Sequence, residues 1–252
     1  MKVPLQYQIT EFDCGRASLI NALLFLMDRE EIRPETLHLI ERVTMDNVDE
    51  DCKFGYCGTS EAGFRYFANR MRHYHERTGF AIDCEMIAGG DVSMENGSRL
   101  LSALGDGCVA VCCLLDEGDL HYALLNGLHA AQPGDRFSAC AGADYEPHKF
   151  ACPANRFTAG TGAGAAGLCS GERKTDSRPR AGSASQQLYV DMFDPYYENP
   201  ECYLDPRVEV IEGNPTVNRR VRRDVFDDGQ AQNYTLAGYD KRFALLLWRT
   251  DL

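Results

Sequence analysis

Hydrophobic residues in the first hundred positions follow a helical spacing. The first predicted helix runs from residue 14 or 15 to about 27 and is apolar on nearly every face, so we expect it to be buried on all sides. Further helices are predicted over about 35–45, 62–77 and 96–104. The second of these follows Pro34, a favourable first-turn residue, and the third follows Thr59, Ser60 and Glu61, which form a typical N-cap sequence.

After residue 108 the pattern changes to short apolar runs. Two of them, 109–115 and 122–128, are separated by the turn sequence Asp-Glu-Gly-Asp, which predicts an antiparallel hairpin. Three more strands are predicted over 188–193, 208–211 and 243–248. Because helices come first and strands follow, the predicted fold class is α+β. The 252 residues suit one elaborated domain or two small ones.

A segment of unusual composition, residues 130–187, separates two of the predicted strands. Leu168 is its only Ile, Leu, Val or Met, and 30 of its 58 residues are Gly, Ala, Ser or Pro. Such a segment buries too little apolar surface to offset the entropy lost on ordering, so we expect a low-complexity insertion that behaves as a flexible loop.

The charge balance narrows the choice of partners. Lys and Arg total 26 against 38 Asp and Glu, a formal net charge of −12, which argues against nucleic acid as a partner. No apolar run approaches the roughly 18–20 residues that span a bilayer, so no membrane insertion is expected. The amino terminus lacks a signal-peptide pattern, which favours a cytoplasmic protein. The basic cluster 219–223 is expected to be a solvated face, paired with the acidic residues that follow it.

The cysteines do not follow a metal-binding or redox pattern. There are eleven, and no two are spaced as C-x-x-C, so neither a zinc ribbon nor a thioredoxin-type motif is expected. Without a secretion signal, most of these thiols should be reduced. His73 and His75 are two apart on a predicted helix and do not face each other, which disfavours a metal role. We therefore expect no cofactor and no metal, and the oligomeric state stays open.

Four residues have the chemistry and the chain order of a cysteine nucleophile site. Cys14 lies at the start of the buried helix, where unpaired backbone N–H groups favour a thiolate. Gln8, six residues earlier, offers an amide donor for a developing oxyanion. His121 heads a strand and is the candidate base, and Asp194 ends a later strand and is the candidate orienting carboxylate. Gln, Cys, His and Asp in this order are typical of a papain-like site.

Two of these assignments have competitors nearby. His129 lies eight residues after His121. Asp191 lies three residues before Asp194, and on a strand the two carboxylates would face opposite ways, so only one can point towards the histidine. We favour Asp194.

The residues around Cys14 resemble a known family. The stretch QITEFDCGRASLINAL, with Gln8 and Cys14 separated by five residues, is similar to the amino-terminal signature of the bacteriocin-processing (double-glycine leader) peptidases and their stand-alone relatives. Leu101 and Gly107, followed by VAVCCLL, resemble the family's helix and strand before the histidine, and the Asp-Pro pair that begins at residue 194 matches its Asp-Pro.

The resemblance covers residues 5–126 and 188–195, implies a papain-like fold and assigns a role to each residue. It implies that Gln8 contributes to the oxyanion hole, Cys14 is the nucleophile, His121 is the base and Asp194 orients it. We predict a single papain-like domain over 1–252.

The sequence also departs from the family. The family places its histidine and aspartate closer together than the 73 positions between His121 and Asp194, and the 130–187 insertion accounts for most of the excess. Residues 196–252 have no counterpart in the short peptidase domain and are expected to be a C-terminal extension that completes the sheet. No membrane segments or ATPase motifs follow, so we do not expect the processing domain of an export transporter.

These expectations leave three functions open. The leading one is a cysteine peptidase or amidohydrolase that acts on a peptide or another amide or acyl substrate through a thioester acyl-enzyme. In the second, the same thioester passes its acyl group to an amine, making the protein an acyltransferase or aminoacyltransferase. In the third, the protein is an inactive binding module.

Overall fold

The computed structural model describes residues 1–131, 187–197, 203 and 205–251. Within them the chain is a mixture of helices and one antiparallel sheet, so the α+β class is confirmed. Most of the predicted insertion, residues 132–186, lies outside the described residues, and its expected loop character stays a prediction.

All four predicted helices are present. They are α1 (Cys14–Leu26), α2 (Pro34–Val43), α3 (Glu61–Thr78) and α4 (Arg99–Gly105). Helix α1 is buried along most of its length, as its uniformly apolar sequence predicts. Helix α3 begins at the expected cap, where the Ser60 side chain accepts a hydrogen bond from the Gly63 N–H. It ends at Gly79, whose left-handed φ of 65° favours glycine.

The strands form one antiparallel sheet. They are β1 (Ile82–Ala88), β2 (Val109–Asp116), β3 (Asp119–Ala130), β4 (Leu188–Phe193), β5 (Val208–Val210), β6 (Arg219–Arg222), β7 (Thr235–Leu236) and β8 (Phe243–Arg249). Their order across the sheet is β1-β8-β2-β3-β4-β6-β5, with β7 also paired to β2. The predicted hairpin is β2 and β3, and the strand predicted over 188–193 is β4.

Two sequence-based expectations need correction. Strand β1 lies between α3 and α4, so the helices do not all precede the strands. The basic cluster 219–223 is not a solvated face, because Arg219–Arg222 form β6, and Arg219 and Val221 are buried. Only the expected pairing with a following acid holds, since Arg222 binds Asp224 through two hydrogen bonds of 2.6 and 2.7 Å.

The sheet separates two hydrophobic layers. On one face the sheet packs against α1 and α3, which in turn contact α2. Leu19, Leu23, Phe64 and Phe67 are among the fully buried side chains of this layer. On the other face it packs against α4 and the loops of the C-terminal segment. Helix α1 lies on β3, where the Ser18 hydroxyl donates to the Tyr122 carbonyl at 3.0 Å. This packing brings the start of α1 towards the strand that carries His121.

Strands β3 and β4 are antiparallel neighbours, as required if His121 and Asp194 are to meet. Their distal ends stay paired beyond the strands, because the Ala131 N–H donates to the Gln187 carbonyl at 2.9 Å. The chain therefore leaves β3 and returns to β4 at adjacent points, although 55 residues lie between Ala131 and Gln187.

We expect that residues 135–184 can be replaced by a short Gly/Ser linker without loss of the fold. The paired ends are already close together, and each doubling of loop length changes the closure free energy by only about 0.6 kcal/mol. The melting temperature, followed by circular dichroism, should change by no more than about 4 °C. An unfolded deletion variant would show that the insertion is a structural part of the protein.

Candidate active site

Cys14 is the first residue of α1, with 7% of its surface exposed. The turn before it is held by the buried Asp13, whose Oδ1 accepts hydrogen bonds from the N–H of Ile9 at 3.1 Å and the N–H of Thr10 at 2.8 Å. The Thr10 hydroxyl donates to the same oxygen at 3.0 Å. These bonds tie the segment that carries Gln8 to the start of the helix.

Gly15 allows α1 to approach β3 closely at this point. A Cβ at this position would lie 2.9 Å from the Thr59 Oγ1 and 3.2 Å from the Tyr122 ring, both tighter than an ordinary contact. The Tyr122 hydroxyl donates to the Thr59 carbonyl at 2.7 Å and fixes that ring. A glycine directly after the cysteine therefore lets the helix start pack against the residue next to His121.

His121 and Asp194 form a buried pair across β3 and the end of β4. The His121 Nε2 lies 2.7 Å from the Asp194 Oδ1; His121 is 9% exposed and Asp194 is fully buried. The Cys14 side chain lies close enough to the His121 ring to affect its charge. Because Asp194 occupies Nε2, Nδ1 is the ring nitrogen available to the thiol. Cys14, His121 and Asp194 are thus brought together, as the sequence predicts.

The charges of the pair stabilise each other. Burial lowers the pKa of His121, but the Asp194 carboxylate and, secondarily, Cys14 outweigh it and raise that pKa well above its usual 6.5. Burial raises the pKa of Asp194, but attraction to His121 and hydrogen bonds from His121 and Tyr234 hold that pKa below its usual 3.8. The folded protein therefore favours an imidazolium beside a carboxylate.

Asp194→Asn should destabilise the protein in a pH-dependent way. The raised pKa of His121 contributes stability below pH 6.5 that is lost as the pH rises through its folded value, and the lowered pKa of Asp194 contributes stability above pH 3.8. The deficit of the variant should therefore be largest between these limits, about 2 kcal/mol, and should shrink at alkaline pH. Urea unfolding at pH 5.5 and at pH 9 measures it.

The matched control is Asp191→Asn. Asp191 forms its ion pair with Arg220, with 2.7 Å between Oδ1 and Nε, and both side chains are partly exposed. Loss of such a pair should cost at most about 1 kcal/mol. A deficit that is equal for both variants, or that grows at alkaline pH, would contradict the charged pair.

The two competing candidates, Asp191 and His129, do not take part in the hydrogen-bonded pair of His121 and Asp194. Asp191 binds Arg220 on β6, whereas Asp194 binds the histidine. His129 pairs in register with Tyr189 near the far end of β3. Eight residues along a strand correspond to roughly 26 Å, so His129 is distant from the start of α1.

Four further hydrogen bonds hold Asp194, from residues that the sequence patterns do not single out. The Tyr234 hydroxyl donates to its Oδ2 at 2.7 Å, and the Tyr196 N–H donates to its Oδ1 at 2.8 Å. The Asn218 side chain accepts from the Asp194 N–H at 2.8 Å and donates to its carbonyl at 2.7 Å. Tyr234 and Asn218 come from the C-terminal extension, where no motif in the sequence marks them.

Gln8 lies beside this cluster. Its backbone N–H donates to the carbonyl of Pro195, the residue directly after Asp194, at 2.8 Å. Its side-chain Nε2 donates to the Thr10 carbonyl at 2.8 Å, which leaves the second N–H of that amide without an assigned partner. Its Oε1 is buried and has no hydrogen-bond partner among the described residues. The oxyanion role of Gln8 stays a prediction.

Exposed aromatic side chains surround the same region. The Tyr196 ring meets the His121 ring edge-on, with the centroids 6.4 Å apart. Tyr7, next to Gln8, contacts both Phe193 and Tyr197, with ring centroids 5.3 and 5.6 Å apart, and Tyr197 is 72% exposed. These rings provide an apolar surface beside the pair of His121 and Asp194.

A groove of about 740 Å³ lies between α2 and α3, lined by residues that include Arg42, Tyr66 and Arg70, and no candidate catalytic residue lines it. Over the described ranges, no group of three or more His, Cys, Asp or Glu is arranged to hold a metal ion. In the same part of the chain, no helix is both long enough and apolar enough to cross a membrane.

Comparison of the chain with family models, with curated proteins and with solved structures finds no match.

Proposed function

We propose that this protein is a papain-like cysteine hydrolase, a peptidase or amidohydrolase that acts through a thioester acyl-enzyme. The observation that carries the proposal is the buried hydrogen bond between His121 and Asp194, with Cys14 close enough to His121 to affect its charge. The nucleophile begins a buried helix, the base lies on β3, which packs against that helix, and the carboxylate directly follows β4, the neighbour of β3. This arrangement and the resemblance around Cys14 both favour a papain-like fold.

The geometry supports a two-step reaction. In the first step the Cys14 thiolate adds to the substrate carbonyl carbon, and the resulting oxyanion accepts hydrogen bonds from the Cys14 N–H and the Gln8 amide. The tetrahedral intermediate then collapses, and the imidazolium of His121 gives its proton to the leaving amine. A thioester remains on Cys14, and His121 is neutral.

In the second step neutral His121 takes a proton from water as that water adds to the thioester carbonyl. The carboxylic acid leaves, Cys14 departs as a thiolate, and His121 again carries the proton. Asp194 accepts the His121 Nε2–H throughout and keeps Nδ1 directed at the sulfur and the substrate. If an amine adds in place of water, the same site performs acyl transfer.

An activated acyl donor tests the proposal without knowledge of the natural substrate. With p-nitrophenyl acetate, we expect a burst of one equivalent of p-nitrophenolate and an acetyl thioester mapped to Cys14 by mass spectrometry. Glycinamide added to the reaction then separates the two fates of the thioester. Acetate as the main product supports a hydrolase, and acetylglycinamide supports a transferase. No adduct on Cys14 would contradict both and favour an inactive binding module.

A further inference from the structure

The second carboxylate oxygen of Asp194 accepts a hydrogen bond from a buried tyrosine. Tyr234 is fully buried, and its hydroxyl lies 2.7 Å from the Asp194 Oδ2. The Arg219 Nε also lies 3.1 Å from the same hydroxyl oxygen. A guanidinium can only donate, so the tyrosine oxygen accepts from Arg219, and its single proton is directed to Asp194. The direction of both hydrogen bonds is therefore fixed.

Arg219 is itself held rigidly. It is 3% exposed, and its Nη1 donates to the Asn218 carbonyl at 2.9 Å. Its Nη2 donates to the Tyr203 hydroxyl at 3.2 Å, and the guanidinium carbon lies 4.4 Å from the centre of the Tyr203 ring. The Tyr203 and Tyr234 rings are stacked, with centroids 5.8 Å apart and an angle of 12° between their planes. The guanidinium therefore has little freedom to leave Tyr234.

The backbone at Tyr234 is strained. Its φ is +60°, in the left-handed region that a bulky aromatic residue rarely adopts. Contacts on both sides hold it there: the Asn233 amide donates to the Asp116 carboxylate at 2.7 Å, and Leu236 in β7 pairs with Leu114 in β2. Backbone strain that the surroundings maintain is found preferentially at functional sites.

We propose that Tyr234 and Arg219 are positioning residues for the proposed catalytic site. Tyr234 holds Oδ2 of Asp194, so that Oδ1 stays aligned with the His121 Nε2, and Arg219 orients the Tyr234 hydroxyl. This inference rests on the proposed function. It assigns a role to the segment 205–251, which the short peptidase domain lacks: the segment completes the support of the orienting carboxylate.

The test compares two tyrosines in the same cluster. The hydroxyls of Tyr234 and Tyr203 both accept a hydrogen bond from Arg219, but the hydrogen bond to Asp194 comes from Tyr234. Tyr234→Phe removes that hydrogen bond, and Tyr203→Phe leaves it in place. The readout is the rate of iodoacetamide alkylation of Cys14 between pH 5 and pH 10, mapped by mass spectrometry. It needs no natural substrate.

We expect Tyr234→Phe to lower the alkylation rate at pH 6 by about 10-fold, the effect of one hydrogen bond to a charged group. The rate at low pH depends on a thiolate paired with imidazolium, and that imidazolium needs an ionised, aligned Asp194. Tyr203→Phe should stay within about 2-fold of the unmodified protein. Near pH 10 all three proteins should react alike, because an ordinary thiol is then ionised without help.

Three outcomes are distinguishable. If the unmodified protein shows no fast alkylation of Cys14 at pH 6, the proposed function itself fails. If the unmodified protein shows fast alkylation of Cys14 at pH 6 and both Phe variants react at the same rate as each other, Tyr234 is not a positioning residue. A purely structural role would lower the melting temperature and change the alkylation rate at every pH. Should Tyr234→Phe fail to fold, Arg219→Lys can replace it in the test. Lysine keeps the charge but lacks the planar guanidinium that donates several hydrogen bonds at once, so we expect the same decrease in the alkylation rate at pH 6.

Discussion

Cys14→Ala should abolish both the burst of p-nitrophenolate from p-nitrophenyl acetate and the one-equivalent acetylation that accompanies it. The sulfur is the atom that forms the thioester, and the neighbouring groups His121 and Asp194 cannot replace it. The substitution removes one atom from a side chain at the start of α1 and leaves the backbone hydrogen bonds of the helix in place. The melting temperature should therefore change by only a few degrees, about 4 °C at most.

The control for this prediction is Cys57→Ala. Cys57 is an exposed free cysteine in the loop before α3, and its loss should leave both the burst and the melting temperature unchanged. A full burst from Cys14→Ala would show that another nucleophile reacts, and the assignment of the site would be wrong.

Gln8→Ala should lower the rate of acylation by p-nitrophenyl acetate roughly 10²–10³-fold, the typical loss for one oxyanion donor. Alkylation of Cys14 by iodoacetamide should be nearly unchanged in this variant, because alkylation forms no oxyanion. The prediction depends on the second N–H of the Gln8 amide, since the first donates to the Thr10 carbonyl at 2.8 Å. Stopped-flow absorbance for acylation and mass spectrometry for alkylation give the two rates.

Gln6→Ala provides a matched comparison in the same segment. The Gln6 side chain is exposed, and only its backbone takes part in a pair of 2.8 Å hydrogen bonds with Asn21. Its loss should leave both rates unchanged. If Gln8→Ala slows alkylation as much as acylation, then Gln8 shapes the pocket and does not bind the oxyanion.

Local patterns in the sequence predict the elements that bear the site. The uniformly apolar run after Cys14 predicts a buried helix, and α1 is one. Alternating and continuous apolar runs predict β2, β3 and β4, and the order of Cys14, His121 and Asp194 along the chain predicts which side chains meet. For the helix and the strands the signal lies within a few neighbouring residues, whereas the site depends on the order of residue types along the chain.

Features that depend on distant partners are not predicted. Three of the four residues of β6 are arginines, of which only Arg219 is buried. The hydroxyls of Tyr203 and Tyr234 accept hydrogen bonds from Arg219, and Asp191 and Glu209 form ion pairs with Arg220. The support of Asp194 likewise comes from Asn218 and Tyr234, which lie 24 and 40 positions away along the chain. No local periodicity indicates such contacts, because they arise only when the sheet is assembled.

A thiolate at the start of α1 and simple exposure to solvent predict different cysteines as the first to react. Cys52 and Cys57 are exposed, whereas Cys14 is buried beside His121. Burial raises the pKa of Cys84 and of Cys113 to about 12, so neither should compete near neutral pH.

The most direct test of the account is therefore a limiting treatment with iodoacetamide near neutral pH, followed by mapping of all eleven cysteines by mass spectrometry. We expect Cys14 to be modified first, and His121→Ala to remove this preference. First modification of Cys52, Cys57 or any other cysteine, with Cys14 unreacted, would contradict a thiolate nucleophile at the start of α1.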